Sequence, residues 1–296
     1  MRDVCYAAPV KTLHLMTTLA LLGSGGAGAV GLELSAASPL TLRAAVTDLR
    51  LGNVTAGFGV SNRAADAHVT FGVDLPAVGG VSSRTDAAFA FGQGYRLGTA
   101  VNAALGPVAL GVTLSGWTVG AARVEPLVAW AEAPVDLRAR GWALDANARY
   151  RVNRDVILNV SGSVGGQPNV AAFGEWRRGD LSYRLGGRAG AGVLGVTGGV
   201  TWRASDTVTL AADALIGPGT DERGLSGSLS VADVLGEGSS VRLYGVYEPW
   251  RYVSLPARYG AEVTVPTPNG EVSVDARGGS GGLGVRGTVR FNVGRE

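Results

Sequence analysis

Hydrophobic and polar residues alternate with a period of two over most of the chain after residue 30. In Trp142–Val152, one face carries Trp, Leu, Ala, Tyr and Val side chains, and the other carries Ala143, Asp145, Asn147, Arg149 and Arg151. The same alternation returns in the segments 156–163, 180–185, 196–203, 207–216 and 285–293. Because successive side chains of a β-strand point to opposite faces, the pattern predicts an antiparallel sheet with one apolar and one polar face.

Turn-forming residues separate these segments at regular distances. Examples are Asn153–Asp155, Ala204–Asp206 and Thr267–Gly270. The uncharged stretch Leu97–Ala122 is interrupted by Gly106-Pro107, so we interpret it as a hairpin and not as a transmembrane helix. The spacing of the turn signals predicts no connection longer than about 10–12 residues. Because long loops normally carry plugs, adhesion sites or receptor surfaces, this favours a simple pore or an envelope-structure role over a receptor or adhesin.

The first 29 residues have the features of a secretory signal peptide. Lys11 precedes the apolar run Leu13–Leu22, and the segment ends in the small residues Ala27-Gly28-Ala29. The sequence therefore predicts a signal peptide over 1–29 and one domain over 30–296, with no linker inside it. Initiation at Val10 would give a more regular signal, so we hypothesise that residues 1–9 are a gene-start artefact.

Three features favour a membrane barrel over a soluble sandwich. The alternating segments are about 9–11 residues long, which suits a tilted strand crossing a bilayer. Aromatic residues lie at strand ends beside turns. The apolar face is rich in Ala and Gly, with 47 Gly and only 6 Phe in the chain, which suits contact with acyl chains better than a dense core. Since an open sheet edge is costly in lipid, the sheet must close.

The predicted fold class is all-β, a single antiparallel transmembrane β-barrel of about 16 strands, with a range of 12 to 18. Its predicted interfacial aromatic girdle consists of Trp142, Tyr150, Trp176, Trp202, Tyr247 and Trp250. Its predicted lumen-lining residues are Arg96, Arg149, Arg151, Arg184, Arg188, Arg242, Arg286, Arg290, Asp66, Asp74, Asp145 and Asp213, and Asp180 falls on the same polar faces. These charges either set a weak anion preference or pair across neighbouring strands.

Composition excludes most familiar site chemistries. Cys5 is the only cysteine, Lys11 is the only lysine, and the net charge of +2 is too small for a nucleic-acid footprint. The sequence indicates no catalytic residues, no cofactor and no metal, with His68 expected to be a solvated or hydrogen-bonded histidine in the lumen. Residues 278–282 match G-x-S-x-G and residues 190–195 match G-x-G-x-x-G, but strand-like residues follow where either motif needs a helix.

The strand–turn–strand phrase Ala148–Gly162 resembles hairpins of bacterial outer-membrane β-barrel proteins, and Gly199–Ala212 repeats it. The last segment, Gly284–Val293, is similar to the terminal strand that such proteins offer to the barrel-assembly machinery. It departs from that pattern because the chain ends Gly294-Arg295-Glu296 and not at an aromatic residue, with Phe291 the nearest substitute. The resemblance implies the outer membrane of a diderm bacterium, with outer-membrane lipid and the assembly machinery as partners.

The expected function is that of a porin-like or structural envelope protein, a passive pore for small solutes and not an enzyme. The alternative is a secreted, soluble β-rich surface or adhesive protein. A barrel enzyme of the lipase or protease kind is a third hypothesis, which the near absence of histidine disfavours.

Overall fold

The computed structural model describes residues 30–38, 40–75, 79–91, 94–118, 140–165, 168–249, 256–279 and 282–293. The predicted signal peptide, the proposed gene-start artefact and the girdle residue Trp250 lie outside the described residues.

The described chain is built from strands of 8 to 12 residues. They are β1 (Val30–Ser38), β2 (Thr41–Leu51), β3 (Val54–Ser61), β4 (Ala64–Leu75), β5 (Gly79–Ala90), β6 (Tyr95–Leu105), β7 (Val108–Trp117), β8 (Gly141–Arg151), β9 (Val156–Gly165), β10 (Asn169–Arg178), β11 (Leu181–Gly190), β12 (Val193–Arg203), β13 (Val208–Ile216), β14 (Arg223–Ala232), β15 (Ser240–Tyr247), β16 (Ala257–Thr267), β17 (Gly270–Gly279) and β18 (Gly282–Val293). The alternating segments read from the sequence coincide with strands.

Each strand pairs with its sequence neighbours, and the first pairs with the last. β1 runs antiparallel to β2, and it also runs antiparallel to β18 from Val30↔Val293 to Ser38↔Val285. The 18 strands therefore form one closed sheet. This confirms the all-β closed antiparallel fold that the resemblance implied and excludes a two-layer sandwich. The strand count of 18 exceeds the estimate of about 16 and lies at the upper end of the expected range, because most connections have only two to four residues.

The closed sheet has an apolar outer face and a polar inner face. Outward side chains such as Leu114 and Leu185 are 54% and 55% exposed, although they are large and apolar. Their neighbours along each strand point inward and are mostly Gly, Ala, Ser, Thr, Asn and charged residues. Few large side chains are fully buried, Ile157 and Val46 among them. The described residues form no central hydrophobic core, and their apolar surface faces outward, as the sequence-based prediction requires.

The connections differ in length between the two ends of the barrel. At the end where β1 begins and β18 ends, here called the terminal end, the connections are 52–53, 76–78, 106–107, 152–155, 179–180, 204–207, 233–239 and 268–269. At the opposite end they include 118–140, 217–222 and 248–256. The expectation of no connection beyond about 12 residues is wrong for 118–140, of which 119–139 lie outside the described residues. The Ala, Val and Leu residues of this connection give it a composition like that of the strand segments.

The segment from Tyr95 to Trp117 is a hairpin. β6 and β7 pair from Arg96↔Trp117 to Leu105↔Val108, and Gly106-Pro107 forms the turn with a φ of 59° at Gly106. This left-handed conformation favours glycine because it has no Cβ. The hairpin interpretation of this uncharged stretch is confirmed. No helix among the described residues is long and apolar enough to span a bilayer.

The two faces can be tested with adjacent substitutions at the middle of β7. Val112 points outward and is 45% exposed, whereas Thr113 points inward and pairs with Ala100 and Asp145. We expect Val112→Arg to cost about 2–4 kcal/mol of folding free energy in lipid, the cost of an arginine at the bilayer midplane. We expect Thr113→Arg to be tolerated. The measurement is urea unfolding of each variant in lipid vesicles, and equal losses would contradict the assignment of the faces.

Candidate functional site

The interior of the barrel is the candidate site. A ring of 18 strands, spaced by about 4.8 Å and tilted by about 40°, has a backbone diameter of about 35 Å. Barrels of this strand number enclose an aqueous channel, because side chains from opposite walls are too short to meet. The ion pairs agree with this width, since each one described joins groups on the same strand, on strands at most two apart, or on a strand and the connection next to it.

The structure places the predicted lumen-lining residues on the inner face. This holds for Arg96, Arg149, Arg151, Arg184, Arg188, Arg242, Arg286, Arg290, Asp66, Asp74, Asp145 and Asp213, which occupy inward positions of the strand register. Asp180 is an exception, because it lies in the turn between β10 and β11, where its carbonyl oxygen accepts the Arg203 N–H. The alternation of polar and apolar residues thus extends into the turn, although the strand itself begins only at Leu181.

One ion pair shows how arginines are held against the wall. Arg184 of β11 and Asp213 of β13 are 2.6 Å apart, although β12 lies between them. Both residues are paired in register with Gly199 of β12. A Cβ at Gly199 would stand 2.0 Å from Asp213 Oδ1. The glycine therefore provides the space through which the pair crosses the intervening strand, and the Arg184 side chain lies along the wall.

The same arrangement occurs twice more. Arg43 of β2 donates two hydrogen bonds to Asp66 of β4, at 2.7 and 3.0 Å, across Gly59 of β3. Arg43 also contacts Glu33 of β1 at 2.5 Å.

The third ion pair of this kind lies where the first strand, β1, pairs with the last strand, β18. Arg290 of β18 bonds Asp48 of β2 across Gly31 of β1. Asp48 has a φ of 59° and lies in a bulge where the β2–β3 register shifts between Val46 and Leu49. The bulge adds an unpaired residue, which is how an aspartate reaches past β1 to the last strand.

A continuous charged network covers the inner face of β15–β18. Glu262 lies 3.5 Å from Arg242 and 3.6 Å from Arg277. Asp275 contacts Arg277 at 2.8 Å and Arg286 at 3.1 Å. The Tyr244 ring lies 5.0 Å from the Arg242 guanidinium. Tyr244 also covers Gly260, where a Cβ would stand 2.4 Å from the ring.

The inner face of β6–β9, here called the open wall, is different. Among the described residues, its charged side chains Arg96, Asp145, Arg149 and Arg151 form no ion pair. Asp145, Arg149 and Arg151 are exposed to water from inside the barrel. The remaining inward residues are mostly small or carry amides and hydroxyls, apart from the buried Trp117 and Ile157 near the two ends of the wall. Charge is therefore neutralised on one side of the lumen and accessible on the other.

The predicted aromatic girdle residues lie on the outer face near strand ends. Tyr150, Trp176 and Trp202 are near the terminal end, and Trp142 and Tyr247 are near the opposite end. Trp176 stacks on Tyr183 of the neighbouring strand, with ring centroids 5.8 Å apart. Sequence analysis missed Tyr183, Tyr95 and Tyr259, although outward Tyr95 and Tyr259 are 56% and 54% exposed. Their position within the first three residues after a strand connection was the available signal.

His68 lies on the inner face of β4, with its ring over Gly57 of β3. Its register partner on β5 is Asp86. No group of three His, Cys, Asp or Glu side chains suited to a metal ion occurs among the described residues.

Both short motifs lie at strand connections. Residues 190–195 run from the end of β11 through a two-residue turn into β12. Residues 278–282 join β17 to β18, with 280–281 outside the described residues. Neither leads into a helix, so neither provides the geometry for a dinucleotide site or a nucleophile elbow.

Several inner-face residues were missed by sequence analysis. Glu33, Arg43, Asp48, Glu262, Asp275 and Arg277 complete the charged pairs described above. Their alternation is interrupted by glycine or by the bulge, which weakens the period of two. The pairing of predicted residues with acids on neighbouring strands favours the interpretation of most inner charges as mutually neutralised.

No protein-family model and no curated protein matches this sequence. Solved structures that align with it include a mutant of the Rh. blastica porin, 13% identical with a TM-score of 0.49, covering 90% of this chain and 98% of that chain. The outer membrane protein Omp33 of Acinetobacter baumannii is 8% identical with a TM-score of 0.42, covering 90% of this chain and 99% of that chain. We infer the function from the geometry of the barrel itself.

The space above Gly199 can be tested with a matched pair. Gly199→Ala places a methyl group against Asp213, whereas the neighbouring Gly198→Ala meets nothing closer than the Arg184 carbonyl oxygen at 3.8 Å. We expect Gly199→Ala to destabilise the barrel by about 1–3 kcal/mol, as overpacking does, and Gly198→Ala to leave stability unchanged. The measurement is the temperature at which the unboiled, detergent-extracted protein loses its compact migration in a gel. Equal temperatures for the two variants would refute the role assigned to Gly199.

Proposed function

We propose that the protein is a passive aqueous pore for small polar solutes in the outer membrane of a diderm bacterium. The observation that carries the proposal is the closed 18-strand ring with a polar, water-exposed inner face. A ring of this size is too wide for side chains to fill, so water occupies its interior. Its exposed outer apolar side chains match an acyl-chain environment.

The outer surface supports placement in a membrane. Strands of about ten residues, rising 3.3 Å per residue at a tilt of about 40°, give an apolar band about 25 Å tall. Outward aromatic residues lie near both edges of this band, where the interfaces of a bilayer favour them. Outer-membrane barrels have short periplasmic turns, so the terminal end is the periplasmic end in this proposal. Outer-membrane lipid and the barrel-assembly machinery remain the proposed partners.

The inner charges support weak selectivity. Arginines on β2, β11 and β15–β18 have carboxylates within ion-pair distance. Within the described residues the arginines of the open wall form no ion pair, and they share the inner face with Asp145 on β8 and with Asp74 on β4. Because charges of both signs line the lumen, the long-range field in it is small, and we expect only a slight preference for anions. The proposal includes no catalytic step.

The pore can be tested with adjacent cysteine substitutions on β8. Asn147 points into the lumen and Ala146 points outward. We expect purified protein to give discrete ohmic current steps in a planar lipid bilayer. A bulky, water-soluble thiol reagent should reduce the step size of Asn147→Cys, because the adduct occupies part of the lumen. The same reagent should leave Ala146→Cys and the unsubstituted chain unchanged.

The outcomes separate the hypotheses. Protein that is folded and membrane-inserted but carries no current would refute the pore and favour the structural envelope role. Equal reduction in Asn147→Cys and Ala146→Cys would contradict a current that passes through the lumen.

A further inference from the structure

A trough lies on the inner wall near the terminal end, with opposite charges at its two sides. Asp74 of β4 is paired with Gly80 of β5, and Arg149 of β8 is paired with Ala109 of β7. Ala109 is in turn paired with Ala104 of β6. Since Val81 pairs with Ala103, Gly80 and Ala104 are neighbours at the same level. One row across five strands therefore has a carboxylate at one side, a guanidinium at the other, and only small residues between them.

The adjacent row, one step closer to the middle of the barrel, supplies polar groups. Ser82, Asn102, Gly111 and Asn147 follow one another in register from β5 to β8. A Cβ at Gly111 would stand 2.2 Å from Asn147 Oδ1 and 3.0 Å from Asn102 Oδ1. The two amides thus converge over the glycine. Both asparagines are exposed to water in the lumen.

These groups have no partners within the described residues. Asp74, Asn102, Asn147 and Arg149 form neither an ion pair nor a side-chain hydrogen bond there. Arg43, Arg184 and Arg290 on other walls are each held by a carboxylate. Together the two rows line a recess of about 670 Å³, a volume typical of small-molecule sites. Folding has left this charge pair available to a solute.

We propose that this trough is a binding subsite for short zwitterionic peptides passing through the lumen. Arg149 binds the carboxylate terminus through its planar fork, and Asp74 binds the ammonium terminus. The amides of Asn102 and Asn147 bond the peptide groups between the termini. The inference rests on the proposed pore and names a solute class for it.

The distance between the charges sets the length of the ligand. Asp74 and Arg149 are four strand spacings apart, about 19 Å between backbones at 4.8 Å per spacing. Their inward-leaning side chains shorten the gap between the charged groups. An extended peptide spans about 3.5 Å per residue, so a tripeptide fits better than a single amino acid, whose charges are too close together to reach both sides.

The test uses triglycine as the probe, with its acetylated and amidated form as the uncharged counterpart. Binding to the full, detergent-solubilised barrel is measured by isothermal titration calorimetry, and block of the open pore is measured in planar bilayers. We expect triglycine to bind, and the blocked form to bind at least about tenfold more weakly, because a lost charge-assisted hydrogen bond costs 1.4 kcal/mol or more. Arg149→Gln and Asp74→Asn should each weaken triglycine binding about tenfold.

The matched control is Arg154→Gln, which removes the same charge from the turn between β8 and β9, outside the trough. It should bind triglycine as the unsubstituted protein does. Equal binding of triglycine and its blocked form, or equal weakening by Arg149→Gln and Arg154→Gln, would overturn the subsite. If the protein gives current steps but does not bind triglycine, the pore is supported and the subsite is refuted. If triglycine binds in the calorimeter but the protein carries no current, the subsite is supported and the pore is refuted.

Discussion

Closure of the backbone hydrogen-bond ladder is the constraint on which the rest of the structure depends. A strand edge left open in hydrocarbon exposes N–H and C=O groups, each at a cost of several kcal/mol. Here the pairing of β1 with both β2 and β18 removes the edge. Once the ring is closed, every strand has two partners, and its successive residues alternate between the outer and the inner face of the barrel. The alternating sequence is thus a consequence of closure.

The inner ion pairs add little to the stability that the closed hydrogen-bond ladder provides. Apart from that of the buried Arg258, the inner ion pairs are partly exposed to water, and Arg43 and Asp66, for example, have side-chain exposures of 27% and 25%. Such pairs contribute about 1 kcal/mol or less each, which is small beside the ladder of an 18-strand ring. Their main effect is on the position of the arginine side chains inside the barrel. An arginine bonded across a neighbouring strand is held along the wall, whereas no bond within the described part of the chain holds the Arg149 or Arg151 side chain there.

The sequence predicts the fold better than it predicts the site, for a physical reason. Strand identity depends on local alternation, and Trp142–Val152 carries enough of it to place β8 correctly. Pairing across strands depends on register, which local residues do not reveal. Arg290 and Asp48 are 242 positions apart in sequence and meet only because the ring closes. The connection 118–140 was missed because its Ala, Val and Leu residues resemble strand composition.

Glycine and arginine act together in this wall, which gives a structural role to a chain with 47 glycines and a single lysine. Strands two apart are separated by about 10 Å, so a cation that bridges them must be long and must cross the strand between. Arginine has that length, and its planar fork bonds both oxygens of a carboxylate, as Arg43 does with Asp66. Any Cβ on the crossed strand blocks this path, as the positions of Gly59 and Gly199 show. Lysine has a single ammonium group and cannot bond both carboxylate oxygens in this way. An alanine in place of the glycine would occupy the space through which the arginine side chain passes. Where the wall has small residues but no bridge, between Asp74 and Arg149, the same composition leaves an open recess.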